Sequence, residues 1–300
     1  MNLTPPAEEP LPPNPLHHSY HGAPYPHDLA RGRGNNVVGR PAHGGRAGGG
    51  GNGEVWLLDL GRVEYGAAYE LQRRLQAERD AERLPDLLLL VEHPPVITLG
   101  RRGSRDDVFL TDAELAARGI GIYETNRGGL VTYHGPGQVV GYPIARLRAL
   151  AGDAPTYVAR LEETIIQTLA RYRIEAWTDP GNRGVFTEGG KIAAIGVAVS
   201  HGVTMHGFAL NIRPDLEHFT LIDPCGIGDL GVTSMERIAG AAPDLDGVRA
   251  TLAAQFGAAF GRTVLSAPAA LWDLIGSWGL LDAAPPAVPA DIAAPAGRGG

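Results

Sequence analysis

The 300-residue chain contains one cysteine, Cys225, and one lysine, Lys191, among its 26 Lys and Arg residues. A lone thiol cannot close an internal disulfide, which fits a reducing compartment and excludes a disulfide-stapled scaffold. Zinc sites built from paired cysteines are excluded as well, and the scattered histidines have no ligand spacing, so no metal is expected. There is no apolar run long enough to span a bilayer and no basic start followed by an apolar stretch. These absences predict a cytoplasmic protein without a membrane segment. A net charge of −7 makes nonspecific nucleic-acid binding an unsuitable main task, while a local basic patch stays open. The 44% of apolar residues suffices for the core of one large domain.

Each of the two singular residues supports two readings. Arginine does not lose its proton in a protein and lysine can, so Lys191 is either a residue whose proton is used or a remnant of a drift towards Arg, Ala, Gly and Pro. Cys225 sits in Leu221-Ile222-Asp223-Pro224-Cys225-Gly226. Proline and glycine around a thiol can hold it at a loop tip as a nucleophile, but a lone cysteine is equally a small buried hydrophobe. A thiol with a pKa near 8.5 is only about a few per cent thiolate at neutral pH. An ammonium about 4 Å away at an effective dielectric of about 20 is worth about 4 kcal/mol before desolvation, and half of that would make the thiolate a major species.

Along the chain, residues 1–53 are rich in Pro and Gly and poor in apolar anchors, so disorder is expected, with His17, His18, His21, His27 and His43 solvated. A strand is predicted at residues 54–60, a helix over 65–83 and a buried strand at 87–91, with 96–99 also extended. Arg101, Arg102 and Arg105 cluster in a polar loop. Thr111 and Glu114 have capping-box spacing for a short helix closing near Gly119. Asp153 and Pro155 open a long helix to about Arg173, and a strand is predicted at 174–177. Residues 246–260 read as another helix, and a short one is predicted around Trp272 and Ile275. The last twenty residues are expected to be disordered.

Two stretches combine strand-forming residues with small ones. The first runs Arg127-Gly128-Gly129-Leu130-Val131-Thr132-Tyr133-His134-Gly135-Pro136-Gly137-Gln138-Val139-Val140-Gly141-Tyr142, with Gly135-Pro136-Gly137 predicted as the turn of a hairpin. The second is a hairpin turning at His201-Gly202, with Ala194, Gly196, Gly207 and Ala209 in its arms. Glycine weakens a strand unless something must lie against the bare backbone, and an acyl chain or ligand carbonyl is such a thing. Residues 184–191 do not make a phosphate loop, because Val185 stands where the first glycine is needed and Ile192 replaces the hydroxyl residue. No cysteine-protease signature surrounds Cys225.

The stretch from Arg127 to Tyr142, Gly190-Lys191-Ile192-Ala193, Thr204-Met205-His206-Gly207-Phe208-Ala209-Leu210-Asn211 and Asp223-Pro224-Cys225-Gly226 together resemble the octanoyltransferase family of lipoate biosynthesis, over about residues 54–265. Gly190 replaces a residue that is often basic in the family, and Met205 one that is often aromatic. The resemblance implies an α/β (α+β) fold with a mixed β-sheet flanked by helices, like biotin and lipoate protein ligases. It implies a catalytic domain at 54–265, and composition leaves outside it an N-terminal tail at 1–53 and a mostly disordered Ala/Pro-rich extension at 266–300. It further implies that Cys225 takes octanoyl from octanoyl-acyl carrier protein as a thioester. The acceptor is then a lysine of a lipoyl domain, in a 2-oxoacid dehydrogenase E2 subunit or the glycine-cleavage H protein. Lys191 would lower the thiol pKa and shuttle the proton. Substrate contacts would come from Arg127, Gly128, Gly129, Leu130, Val131, Thr132, Tyr133, His134, Ala194, Ile195, Gly196, Gly207, Phe208 and Ala209. No cofactor, nucleotide or metal is implied. The competing expectations are an ATP-dependent lipoate or biotin protein ligase, which would not need Cys225, and a non-catalytic acyl-binding module.

Overall fold

The structure is a computed structural model that describes residues 53–223 and 231–281. The expectations for the N-terminal tail, for the loop carrying Cys225 and for the last residues lie outside the described residues, except for Gly53. The chain begins with β1 (Glu54–Arg62), α1 (Tyr65–Asp80), β2 (Asp86–Glu92) and β3 (Val96–Leu99). A 3₁₀ turn (Arg105–Asp107) leads to α2 (Asp112–Ala117), β4 (Gly121–Glu124), β5 (Val131–His134) and β6 (Gln138–Ile144). Next come α3 (Leu147–Leu150), α4 (Ala154–Arg171), β7 (Trp177–Asp179), β8 (Asn182–Thr187), β9 (Gly190–Ser200) and β10 (Val203–Asn211). A second 3₁₀ turn (Leu216–Leu221) precedes α5 (Met235–Ala239), α6 (Leu245–Phe260), β11 (Thr263–Ser266) and α7 (Ala269–Ser277).

Local chemistry sets several of these boundaries. Thr111 and Glu114 form the capping box of α2, and the Asp153 carboxylate accepts the Thr156 N–H at 2.8 Å to start α4. Gly261, at φ 62°, ends α6 in the left-handed conformation that glycine adopts without strain. The turn between β9 and β10 needs positive φ at both central residues, supplied by His201 at 50° and Gly202 at 77°.

Eight strands form a mixed sheet in the order β11-β1-β2-β6-β10-β9-β8-β7, and a three-stranded sheet has the order β4-β3-β5. Strand periodicity divides the core. Leu88 and Leu90 face the side covered by α4 and α6, while Leu87, Leu89 and Val91 face α1 and α7. Because both faces of β2 are covered, all seven of its residues are buried, which is why it reads as an unbroken apolar run. Ile97, Leu99, Val131, Tyr133, Leu115 and Ile120 form a third core under the small sheet. Among the described residues no helix is long and apolar enough to cross a membrane.

Two expectations are corrected. The strand predicted at residues 174–177 begins only at Trp177, because Ile174 is drawn into the main core. The strands flanking Gly135-Pro136-Gly137 do not pair with each other: β5 joins β3 in the small sheet and β6 lies between β2 and β10 in the large one. The segment is therefore a crossing between sheets. Gly137 has φ 87°, its N–H donates to the buried Glu92 carboxylate at 3.0 Å, and its carbonyl accepts from the N–H groups of Ile212 and Arg213. A Cβ there would lie 2.4 Å from the Arg213 carbonyl oxygen. Gly137→Ala is expected to cost about 2 kcal/mol and to lower Tm by about 4–8 °C. Thermal unfolding measures this, and an unchanged Tm would contradict the crossing.

Candidate active site

A cavity of about 650 Å³ opens between the two sheets and is lined by residues from β5, β6, β9, β10 and the loop before β5. That volume falls within the range of about 300–1,000 Å³ typical of small-molecule clefts. Residues 127–134, Ala194, Ile195, Gly196, Gly207, Phe208 and Ala209, which the family resemblance singles out as substrate contacts, all line it, and so does Lys191. Cys225 lies outside the described residues.

Lys191 enters the cavity at the start of β9. Its backbone N–H donates to the Gly231 carbonyl and its carbonyl accepts from the Thr233 N–H, both at 3.0 Å, so it is paired with the residues that resume the chain after Cys225. The ammonium lies 5.6 Å from the centre of the buried Phe186 ring. Burial pushes its pKa below the usual lysine value, and the carboxylate of Glu162 acts in the opposite direction. The side chain has room because residue 184 is glycine, at φ 124°: a Cβ there would sit 2.7 Å from Lys191 Cε.

Arg127 is buried, at 7% exposure, and its guanidinium is satisfied locally. It donates to the Thr98 carbonyl at 2.6 Å, to the Thr98 hydroxyl at 2.9 and 3.2 Å, and to the Gly128 carbonyl at 3.2 Å. Burial lowers its pKa, but a guanidinium stays charged at neutral pH. The adjacent Gly128 N–H donates to the Val197 carbonyl of β9 at 2.9 Å. A Cβ on Gly196 would approach the Gly128 carbonyl oxygen to 2.8 Å and Arg127 Cδ to 3.2 Å.

These distances change the meaning of the small residues. Glycine was expected to clear backbone for a ligand. At Gly196 the space is instead occupied by the Arg127-Gly128 loop, and at Gly207 by the β6 backbone, where a Cβ would lie 2.2 Å from the Gly141 carbonyl oxygen. The glycines let protein segments close around the cavity.

A buried polar chain links the walls. His134 Nδ1 donates to Gln138 Oε1 at 3.2 Å, Gln138 Nε2 donates to Asn211 Oδ1 at 2.9 Å, and Asn211 Nδ2 donates to the Thr233 carbonyl at 3.0 Å. His93 Nδ1 donates to the Val63 carbonyl and Nε2 accepts from the Tyr142 hydroxyl, while His206 Nε2 donates to Asn126 Oδ1 at 2.6 Å. Burial pulls His93 down to about 4 and His206 to about 3, with Arg127 and Arg101 adding to the effect on His206. His134 is also lowered by burial, and then by its proximity to His93 and Arg127. All three imidazoles are therefore neutral at pH 7. His206 holds φ 59° inside a strand, an uncommon conformation for a non-glycine residue; its N–H donates to Gln72 Oε1 at 2.9 Å.

Sequence reasoning did not single out Tyr65, Tyr142, Asn182 or Asn211 as cavity residues. Tyr65 sits in the first turn of a helix for which only its extent was expected, and the Gln138–Asn211 pairing depends on strand register that spacing alone does not reveal. The arginine cluster divides. Arg105 is engaged by Asp112 at 2.9 Å and by the Val108 and Leu110 carbonyls, whereas Arg101 and Arg102 are exposed and Arg102 lines the cavity.

Residues 64–257 match the family model of the lipoyl protein ligase A/B catalytic domain. The chain is 48% identical over 224 residues to an octanoyltransferase of Acidobacterium capsulatum, covering 70% of this chain and 91% of that one. It is 49% identical over 207 residues to an octanoyltransferase of Chloroflexus aggregans, covering 68% and 94%. Among solved structures, a lipoate-protein ligase A bound with ATP superposes with a TM-score of 0.59 at 14% identity over 75% of this chain and 93% of that one. A putative lipoate protein ligase of Thermoplasma acidophilum with bound lipoic acid gives 0.58 at 14% identity with the same coverage, and at such identities these two establish the fold alone. By the family match and by the length and identity of its relatives, the chain belongs to the octanoyltransferases of the lipoyl protein ligase A/B catalytic domain family.

Proposed function

We propose that octanoyl transfer by this chain runs in two steps through Cys225. The donor is octanoyl-acyl carrier protein, and the acceptor is the lysine amine of a lipoyl domain in a 2-oxoacid dehydrogenase E2 subunit or the glycine-cleavage H protein. The observation that carries this reading is the placement of Lys191: its ammonium reaches the cavity while its backbone is paired with residues 231–233, just beyond the Cys225 segment. Residues 127–134, 194–196 and 207–209 serve as the substrate-contacting surface, with Arg127 as a fixed cation beside the acyl carbonyl. The catalytic domain is residues 54–265, flanked by 1–53 and 266–300, with α7 of the latter packed onto its core. The lone cysteine and the soluble partners fit a cytoplasmic location.

In the first step the Cys225 thiolate attacks the donor thioester. The carbon–sulfur bond to the carrier breaks, and the departing carrier thiolate takes a proton from the Lys191 ammonium. Lys191 is then neutral. In the second step the acceptor amine attacks the Cys225 thioester, Lys191 takes the proton lost by that amine, and Cys225 leaves as the thiolate. The cycle closes with charge and protons restored. It needs a residue that can exchange its proton, which arginine cannot do. Thioester to amide is downhill, so no nucleotide is consumed.

Cys225→Ser is expected to abolish the thioester-linked octanoyl adduct seen by intact mass spectrometry after incubation with octanoyl carrier protein; a normal adduct on the variant would remove Cys225 from the reaction. Lys191→Arg keeps the charge and loses the transferable proton, and should slow turnover by about 10²–10⁴-fold. Near wild-type rates would return Lys191 to a packing role. Carrier protein and lipoyl domains are acidic, and Arg101 and Arg102 are exposed cations of one loop, with Arg102 at the cavity. Replacing both with Ala should slow association and flatten its salt dependence in stopped-flow measurements, and unaltered kinetics would exclude docking there.

A further inference from the structure

Helix α4 carries Val158, Leu161, Ile165 and Leu169 into the core, and beside them it buries a carboxylate, Glu162, at 8% exposure. A buried carboxylate is costly unless a nearby positive charge or several donors compensate it. Glu162 Oε1 accepts from the Gly184 N–H, at a long 3.4 Å. A glutamine would accept the same bond without the cost of a charge, so the charge itself calls for a reason.

That reason lies on the other side of Gly184. Lys191 packs against this glycine so closely that an added Cβ would lie 2.7 Å from Cε and 3.4 Å from Nζ. Gly184 thus touches both the Glu162 carboxylate and the Lys191 side chain. Around Lys191, α4 offers Glu162 alone, since Glu163 is exposed on the helix's outer side. β8 contributes Phe186 and the exposed Arg183, and residues 231–233 contribute no titratable side chain. Cys225 is the remaining titratable partner in the proposed reaction.

We propose that Glu162 is the positioning residue of Lys191: across the bare Gly184 backbone its charge holds the ammonium at the cavity wall and keeps it protonated when the acyl donor arrives. This rests on the reading of Lys191 as the proton-exchanging group. Burial works to strip the proton from Lys191 and Glu162 opposes it, the same direction as the geometry requires. Helix α4, through Glu162, then also sets the pH range of the reaction.

The test follows the first step only, the rate at which octanoyl carrier protein forms the thioester adduct, measured against pH. In this step Lys191 must begin protonated, so the rate falls at high pH as it loses its proton. Glu162→Gln keeps the hydrogen bond to Gly184 and removes the charge, and should move that alkaline limb about 0.5–1 unit to lower pH. Glu162→Asp retains the charge and should keep most of the wild-type profile; if Glu162→Gln fails to fold, Glu162→Met, which removes the charge from a side chain of similar length, is measured in its place with the same shift expected. Lys191→Ala is run alongside. If it removes the alkaline limb and most of the rate, while Glu162→Gln (or, where Gln does not fold, Glu162→Met) leaves the limb where it was, the role of Glu162 is overturned and that of Lys191 stands. If Lys191→Ala matches the wild type, both fall.

Discussion

The hydrogen bond between Gln138 and Asn211, at 2.9 Å across directly opposed positions of β6 and β10, is the contact on which the site's geometry depends. Both amides are buried, so each must find partners or destabilise the fold. Gln138 reaches back to the Tyr133 carbonyl and accepts from His134, both in β5 of the small sheet, while Asn211 reaches the Thr233 carbonyl. Thr233 in turn donates to Lys191. One run of hydrogen bonds therefore fastens the small sheet, the centre of the large sheet and the strand end that carries Lys191. Among the described residues the two sheets share no strand ladder, and the Gly128–Val197 and His206–Asn126 hydrogen bonds join the cavity walls beside this run.

The electrostatics of the cavity follow from burial. Three imidazoles that would be partly charged in water are neutral here, and hydrogen-bond partners fix their tautomers: carbonyl oxygens receive the proton from Nδ1 of His93 and His134 and from Nε2 of His206. With the histidines neutral, Arg183 and Arg102 line the cavity from exposed positions, while Arg127 in the loop before β5 and Lys191 on β9 are the cavity cations that the fold holds buried or half-buried. The two differ in kind. Arg127 is locked by Thr98 and holds its proton permanently, so it can only attract. Lys191 carries a proton made easier to remove by burial. A fixed charge and an exchangeable one lining the same cavity suit the proposed reaction, in which a carbonyl is polarised and a leaving group protonated.

Much of this was legible in the sequence wherever a local rule decides. The Thr111–Glu114 capping box, the Asp153 cap, the buried β2 run and the His201-Gly202 turn depend on neighbours within a few residues, and each appears as expected. Gly135-Pro136-Gly137 did not, because a turn flanked by strands looks the same whether the strands pair with each other or part to different sheets; the partners that decide it, Glu92 and Arg213, are distant in sequence. The glycines of β9 and β10 were legible as a need for bare backbone, though not as to what fills it. Glu162 was invisible for a similar reason. On a helix of mixed polarity one glutamate reads as solvated, and only the fold brings Gly184 and Lys191 against it.

The single lysine makes the physical requirement at this position unusually clear. In a chain whose other cations are all arginine, a purely attractive charge at residue 191 would be met by arginine as well, as Thr98 and Arg127 show elsewhere in the same cavity. What arginine cannot provide is a proton affinity that can be brought towards that of a thiol. Burial beside Phe186 lowers the affinity of Lys191, and Glu162 limits how far it falls. A group left with its full solution affinity would hold its proton when a thiolate departs, and one stripped completely would have none to give. In the proposed two-step transfer that balance falls to two opposing surroundings, the burial that lowers the proton affinity of Lys191 and the Glu162 carboxylate that raises it.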